Sequence, residues 1–317
     1  MSETSRKIEE PGIHFLDAKD YHADPCPSPS LSASIALPLL HRSPRHAWFG
    51  HPRLNLAGAG RSGRRDMDLG TAVHKLVLGR GPELYLIDAD NYRSKAAQTE
   101  RDKAYAAGHQ PILTADLECA EAVATAARQY LDLELGCWRE GEAEAMLAWQ
   151  ERDAWCRGML DLLSTNRRTV LDLKTTNLSA EPSTACRTLF SMSYHFKAAF
   201  YERGLDVLDP ENIGRRRFLF LFIEADAPYE CALIEPDEAA MTIARKQVTA
   251  AIALWQRCME TGQWPGYPAG VHTASLPPWI EKQWLDRELT DPCLTGATSP
   301  DPARPTQAPA QPMEWTP

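Results

Sequence analysis

An α/β fold, with helices packed around one central mixed β-sheet, is predicted by three observations. The spacing of apolar residues changes from helical to strand-like in mid-chain, the strand-like runs fall into two groups, and a helical run separates the groups. The composition agrees, since apolar residues make up 44% and charged residues 24% of the 317 positions, the mix of an ordinary globular chain.

Taken in order, the elements are these. DPCPSPSLSAS (24–34) holds Pro25, Pro27 and Pro29, which forbid a helix and predict an extended arm. LSASIALPLLHRSP (31–44) reads as a short helix capped by Ser32 or Ser34 and stopped near Pro44. LGTAVHKLVLG (69–79) has helical spacing and ends at Gly79, and a longer helix runs from about 114 to 135 with Thr114 as its N-cap. EAMLAW (144–149), WCRGMLDLLS (155–164) and TVLDLK (169–174) are short runs between polar turns, predicting three successive antiparallel strands. SMSYHFKAAFYERGL (191–205) reads as a helix stopped by Gly204, and RFLFLFIE (217–224) and YECALI (229–234) as two further strands. A last helix spans about 236–262 and stops at Gly262. The predicted organisation is a flexible arm over 1–30, one folded domain over 31–284 and a disordered tail over 285–317, whose last 27 residues contain seven prolines. Met313, Glu314 and Trp315, near the end of that tail, form either a docking peptide or a chance ending. There is no internal repeat.

Lys plus Arg total 34 against 43 Asp plus Glu, a net charge of −9, which argues against a histone-like or polybasic protein. Within this acidic chain, positions 41–65 hold six arginines and three histidines and no acid, an island where a polyanion could dock. No apolar signal-like segment opens the sequence and no long uncharged apolar run occurs, so a cytoplasmic address is expected and no membrane partner. The eight cysteines never come closer than 18 residues and form no CxxC, which fits buried, inert thiols better than a zinc or iron-sulfur site.

The densest chemical constellation is Gly158, Met159, Leu160 and Asp161 on one strand with Asp172, Leu173 and Lys174 on the next. On a strand, Asp172 and Lys174 face one side while Leu171 and Leu173 face the other. A hairpin can bring Asp161 beside Asp172. Two carboxylates so placed repel one another unless a cation sits between them, and oxygen ligands suit Mg²⁺ or Mn²⁺. Lys174 would then position or deprotonate a water and stabilise charge on a phosphoryl group. Glu144 could supply a further carboxylate, with Glu142 its rival by one step of strand register. Taken alone, Asp161, Asp172 and Lys174 could equally be a surface acid and an exposed ion pair.

The succession Gly70 to His74 (GTAVH), Glu144, Gly158 to Asp161, Asp172 to Thr176 (DLKTT) and Tyr194 to Tyr201 (YHFKAAFY) resembles the PD-(D/E)xK nuclease superfamily. Within it the sequence is most similar to the phage and prophage RecE, or exonuclease VIII-like, group, over roughly 30–268. The resemblance implies a restriction-endonuclease-like core. It also implies Asp161 and Asp172 as central metal ligands, the Leu173 carbonyl and His74 as additional ones, Glu144 as an outer or alternating ligand, and Lys174 as the catalytic lysine. Thr175 and Thr176 would contact DNA phosphate or cap the next turn, and Lys197, Tyr201, Arg64 and Arg65 would contribute to DNA binding. The group usually carries Gln-x-x-x-Tyr where this sequence reads Lys197 to Tyr201. Lysine cannot accept a hydrogen bond and adds a cation near Lys174. For Tyr201, core packing stands beside DNA contact.

The implied function is a Mg²⁺-dependent exonuclease (Mn²⁺ as an alternative ion) that resects linear double-stranded DNA, 5′ to 3′, for recombination by strand annealing. A ring-shaped homo-oligomer and an annealing-protein partner are implied with it. Basic residues from the 42–65 island, with Arg215, Arg216 and Arg217, are expected to line the DNA path. The alternatives are a structure-selective endonuclease and a catalytically silent module that binds DNA ends or recruits partners. No Walker motif is present, so no ATP-driven motor is expected.

Overall fold

The structure, a computed structural model, describes residues 7–55 and 66–294, with the backbone alone at 66–68. In chain order the first elements are β1 (Gly12–His14), α1 (Ala18–His22), β2 (Leu31–Ser32), α2 (Ala33–His41), α3 (Pro44–Gly50) and α4 (Asp66–Leu78). Then come β3 (Leu84–Ile87), α5 (Lys95–Ala106), β4 (Gln110–Leu113), α6 (Thr114–Glu134), β5 (Glu142–Glu151), β6 (Ala154–Leu163) and β7 (Thr169–Thr176). The remainder is α7 (Pro182–Ser191), α8 (Tyr194–Leu208), β8 (Arg217–Glu224), β9 (Cys231–Ile234), α9 (Glu238–Thr261) and α10 (Pro278–Thr290).

The expected mixed sheet is present. Its order is β1-β5-β6-β7-β8-β9, with β2 joined to β6, and β3 and β4 form a separate two-stranded sheet. β5, β6 and β7 are antiparallel, as the three runs predicted, while β7 and β8 are parallel because α7 and α8 cross between them. One face of the sheet buries Leu147, Trp149, Val170, Phe218, Phe220 and Phe222 with residues of α2, α8 and α9. The other buries Leu162, Leu171, Leu173, Leu219, Leu221 and Ile223 with residues of α4 and α6. A sheet covered on both faces explains why β8 reads as a continuous apolar run rather than an alternating one.

Several expectations give way to tertiary packing. The predicted arm is part of the body: β1 pairs with β5 from Gly12↔Ala148 to His14↔Met146, and Ile8 and Cys26 are buried beside Met146 and Trp155. Gly204 does not stop its helix. α8 runs on to Leu208, and Gly204 is where it lies on Trp149, whose ring would come within 2.8 Å of an added Cβ. The break comes instead at Ser193, left-handed at φ 57°, which separates α7 from α8. Thr114 is the first residue of α6 and not its cap, the preceding Leu113 being extended. The chain divides into two compact units at Tyr267, earlier than the expected 284. In the second unit, α10 reaches to Thr290 with no buried residue. Met313, Glu314 and Trp315 lie outside the described residues. Cys26, Cys156 and Cys258 are buried as expected, but Cys137, Cys186 and Cys293 are exposed. No helix among the described residues is long and apolar enough to cross a membrane.

Candidate active site

The site forms where two neighbouring strands part. β6 and β7 pair at Leu162↔Leu171 and Leu163↔Val170 only, whereas β7 stays in register with β8 from Thr169↔Arg217 to Thr176↔Glu224. Past Leu171, the β6-facing backbone groups of β7 therefore need other partners. Asp161 Oδ2 accepts the Leu173 N–H at 2.8 Å. The Leu173 carbonyl lies 3.0 Å from His74 Nε2 on α4, and that nitrogen is 3.7 Å from Asp161 Oδ2.

One nitrogen and two oxygens thus converge from three elements. Cis ligands on a Mg²⁺ or Mn²⁺ octahedron stand about 3 Å apart, so this spacing fits a small hard cation after minor adjustment. Among the described residues no three His, Cys, Asp or Glu side chains form a ligand group by themselves. The third donor is the backbone carbonyl.

Glu144 reaches the same region by a local irregularity. It lies between Ala143↔Leu162 and Ala145↔Leu160, opposite Asp161, and its φ is 52°. Ala143 packs with the α4 and α6 side of the sheet and Ala145 with the α8 and α9 side, so strand alternation slips at Glu144. Gly81 leaves room for the carboxylate, because an added Cβ there would lie 3.1 Å from Glu144 Oε1. Burial, then the charge of Asp161, push the Glu144 carboxyl above its ordinary value, against His74, Arg80 and Lys75. Strand register pairs Glu142 with Leu163, so Glu144 and not Glu142 stands opposite Asp161.

Asp172 is buried and carries two cations. Its Oδ1 accepts from Lys174 and its Oδ2 from Lys197, which α8 presents to β7. Each ammonium also sits over an aromatic ring, Lys174 Nζ at 4.8 Å from the centre of Tyr194 and Lys197 Nζ at 5.3 Å from that of Tyr201. Burial would raise the Asp172 pKa, but the two ammoniums prevail and hold it well below the usual carboxylate range. The lysines diverge. Burial outweighs Asp172 at Lys174 and lowers its pKa. At Lys197 burial opposes the charge, yet Asp172, Tyr201 and Asp161 together hold the pKa well above its ordinary value. Lys174 is therefore suited to exchange a proton and Lys197 to remain a cation.

The remaining expected site residues are placed as follows. Thr176 Oγ1 accepts the Leu178 N–H at 3.0 Å, so it caps the turn after β7. Thr175 Oγ1 is buried without a partner. Tyr201 is buried, and its ring fills the space above Gly158, where an added Cβ would lie 2.6 Å from ring carbons. Its position supports packing and a seat for Lys197 rather than contact with DNA. Arg64 and Arg65 lie outside the described residues. Of the expected basic lining, Arg216 is buried against Asp206 and Asp209, and Arg217 is paired with Glu235. Arg217 starts β8 opposite Thr169, ~17 Å along the sheet from Lys174, and Arg216 immediately precedes it. Arg53 is also tied up, donating to the carbonyls of Cys26 and Pro27. Arg42 and Arg45 remain exposed after α2, and burial, with a smaller contribution from the charge of the neighbouring His41, lowers the pKa of His195 on α8. Tyr194 and Tyr21 were not anticipated. Tyr21, brought from the arm, stacks under Arg157, a contact between residues 136 positions apart that no sequence spacing announces.

Residues 55–274 match the family described as a PDDEXK-like domain of unknown function (DUF3799). The chain belongs to the PDDEXK-like family. A solved structure from Eubacterium rectale, described as a "Putative exonuclease", is similar to this PDDEXK-like chain at 11% identity and a TM-score of 0.52, covering 88% of this chain and 99% of that one. The alkaline exonuclease LHK-Exo from Laribacter hongkongensis aligns at 15% identity and a TM-score of 0.28 over 62% of this chain and 96% of that one. No curated protein matches. The Eubacterium rectale structure supports the fold. The matched range, 55–274, includes His74, Asp161, Asp172 and Lys174.

Proposed function

We propose that this protein is a metal-dependent deoxyribonuclease that digests linear double-stranded DNA from its ends, 5′ to 3′, leaving single strands for recombination by annealing. The observation that carries the nuclease reading is the convergence of His74 Nε2, Asp161 Oδ2 and the Leu173 carbonyl beside the Asp172 and Lys174 pair. The preference for ends, the polarity, a ring-shaped assembly and an annealing partner rest on the RecE-like resemblance.

His74, Asp161 and the Leu173 carbonyl would hold Mg²⁺ or Mn²⁺, with Asp172 as a further ligand where a lysine gives way and Glu144 as an outer carboxylate. A divalent ion there supplies charge stabilisation to the phosphodiester under attack and makes water more acidic. Asp172 fixes the Lys174 ammonium beside the donor set. Lys174, with its lowered pKa, takes the proton of the attacking water or returns one to the leaving oxygen. Lys197 keeps its charge for a phosphate. Exposed Arg42, at the end of α2, and Arg45, on α3, supply further contacts to the DNA backbone.

The test is digestion of linear and circular duplexes labelled at the 5′ or 3′ end, with and without Mg²⁺, alongside Lys174→Ala. Metal-dependent loss of linear DNA alone, reduced by about 10³-fold or more in Lys174→Ala, is the expected result. Release of the 3′ label first would reverse the polarity, cleavage of circles would make the protein an endonuclease, and binding without hydrolysis would make it a silent module.

A further inference from the structure

The geometry points to Lys197 as a latch that competes with the divalent cation for Asp172 and leaves it for DNA phosphate when the ion arrives. This rests on the metal-dependent reading above. Both Asp172 oxygens are taken by ammonium groups, and the side chain is only 6% exposed, so it cannot turn to water. An ion that reaches for Asp172 must therefore displace a lysine. The two lysines are not equivalent. Lys174 belongs to the same strand two residues on, is 17% exposed and also donates to the Leu173 carbonyl at 3.3 Å, whereas Lys197 comes from α8, is 23% exposed, and has, among the described residues, only its seat over the Tyr201 ring besides Asp172. Lys197 can move toward solvent without losing every partner, and solvent is where a phosphate would meet it.

A doubly charged ion at Asp161 and Asp172 also repels the ammonium held on Asp172, so the exchange is favoured on both sides. Metal affinity is then low in the absence of DNA. A phosphate that captures the released ammonium removes the competitor, so metal and DNA bind with positive coupling. A neutral glutamine at position 197 would lack this competition, since it forms no ion pair with Asp172.

The experiment is calorimetric titration of the full chain with Mn²⁺ in the absence of DNA, for the unaltered protein, Lys197→Gln, Lys197→Arg and Asp161→Asn, each first checked for its melting transition. The latch predicts that Lys197→Gln binds Mn²⁺ about tenfold more tightly and that Lys197→Arg stays within about twofold of the unaltered protein. If Lys197→Gln binds no more tightly while Asp161→Asn has lost the ion, the latch is wrong and the metal site stands. If Lys197→Gln does not fold, Lys197→Met is read in its place by the same criterion. If Asp161→Asn binds as well as the unaltered chain, or no chain binds Mn²⁺, the metal site itself is overturned and the latch with it.

Discussion

Asp161 serves two purposes with one carboxylate. It accepts the Leu173 N–H, which the parting of β6 and β7 would otherwise leave unpaired, and it faces His74. The two substitutions Asp161→Ala and Asp161→Asn should separate these purposes. Alanine leaves a part-buried N–H without a partner, costing about 1–3 kcal/mol on top of the lost charge. Asparagine keeps an acceptor and loses only the charge, so it should retain most of the stability while losing nuclease activity. Chemical denaturation and digestion of the two variants side by side provide the check, and equal destabilisation would show that the N–H contact contributes little. Gly158 is a further residue whose reason is steric: the Tyr201 ring occupies the place of its side chain. The GMLD run was visible in the sequence, but only the approach of α8 explains why it starts with glycine.

At the scale of elements, the N-terminal segment shows how a proline-rich stretch becomes structure. Its prolines do exclude helix over 24–30, as the sequence indicates, but the segment is held by a buried polar cluster. Asp24 accepts from Ser30, Arg157 donates to the Ser30 carbonyl, and His51 Nε2 lies 3.1 Å from that carbonyl. His51 Nδ1 accepts the Arg53 and Leu54 N–H groups, so the ring is neutral with its proton on Nε2. Burial lowers its pKa to about 4, against the partial support of the Ser30 carbonyl and Asp24. The unfolded chain binds this proton near pH 6.5 and the folded chain only near pH 4, so protonation favours unfolding. Stability should be full above pH 6.5 and fall by up to about 3 kcal/mol on the way to pH 4. Denaturation at pH 7, 5.5 and 4 should show that loss, and His51→Gln, although less stable at pH 7, should show a flatter profile. A parallel profile in the variant would rule His51 out as its source.

For the whole molecule, the division at Tyr267 makes a direct prediction. α10 has no buried residue, so ending the chain at Tyr267 removes little buried surface. The melting midpoint of the shortened protein should lie within about 2 °C of the full chain, and a larger drop in calorimetry would show that residues beyond 267 support the body. Charge is also organised at this scale. The chain is acidic at −9, and arginines that look free in the sequence are largely spent on carboxylates, Arg216 on Asp206 and Asp209, Arg217 on Glu235. Those left exposed are few, so DNA binding should weaken only about 10- to 40-fold between 50 and 200 mM salt, the shallow slope of two or three phosphates engaged, and a much steeper slope in a salt titration of binding would show a wider basic surface.

The α/β class, three antiparallel strands over 144–174, and the placement of Asp172 and Lys174 on one face with Leu171 and Leu173 on the other are legible in the sequence alone. These follow from local periodicity, which a strand or helix carries within its own length. The PDDEXK-like pattern was legible by resemblance, as a set of short motifs in a fixed order. Only the tertiary structure decided that β6 and β7 part after Leu171, that Glu144 reaches Asp161 through a left-handed residue, and that Lys197 rests on Asp172. It likewise decided that the arm belongs to the body and that α8 continues through Gly204. Each depends on which surfaces meet across long sequence separations, where packing and unpaired backbone groups override the local preferences a sequence displays.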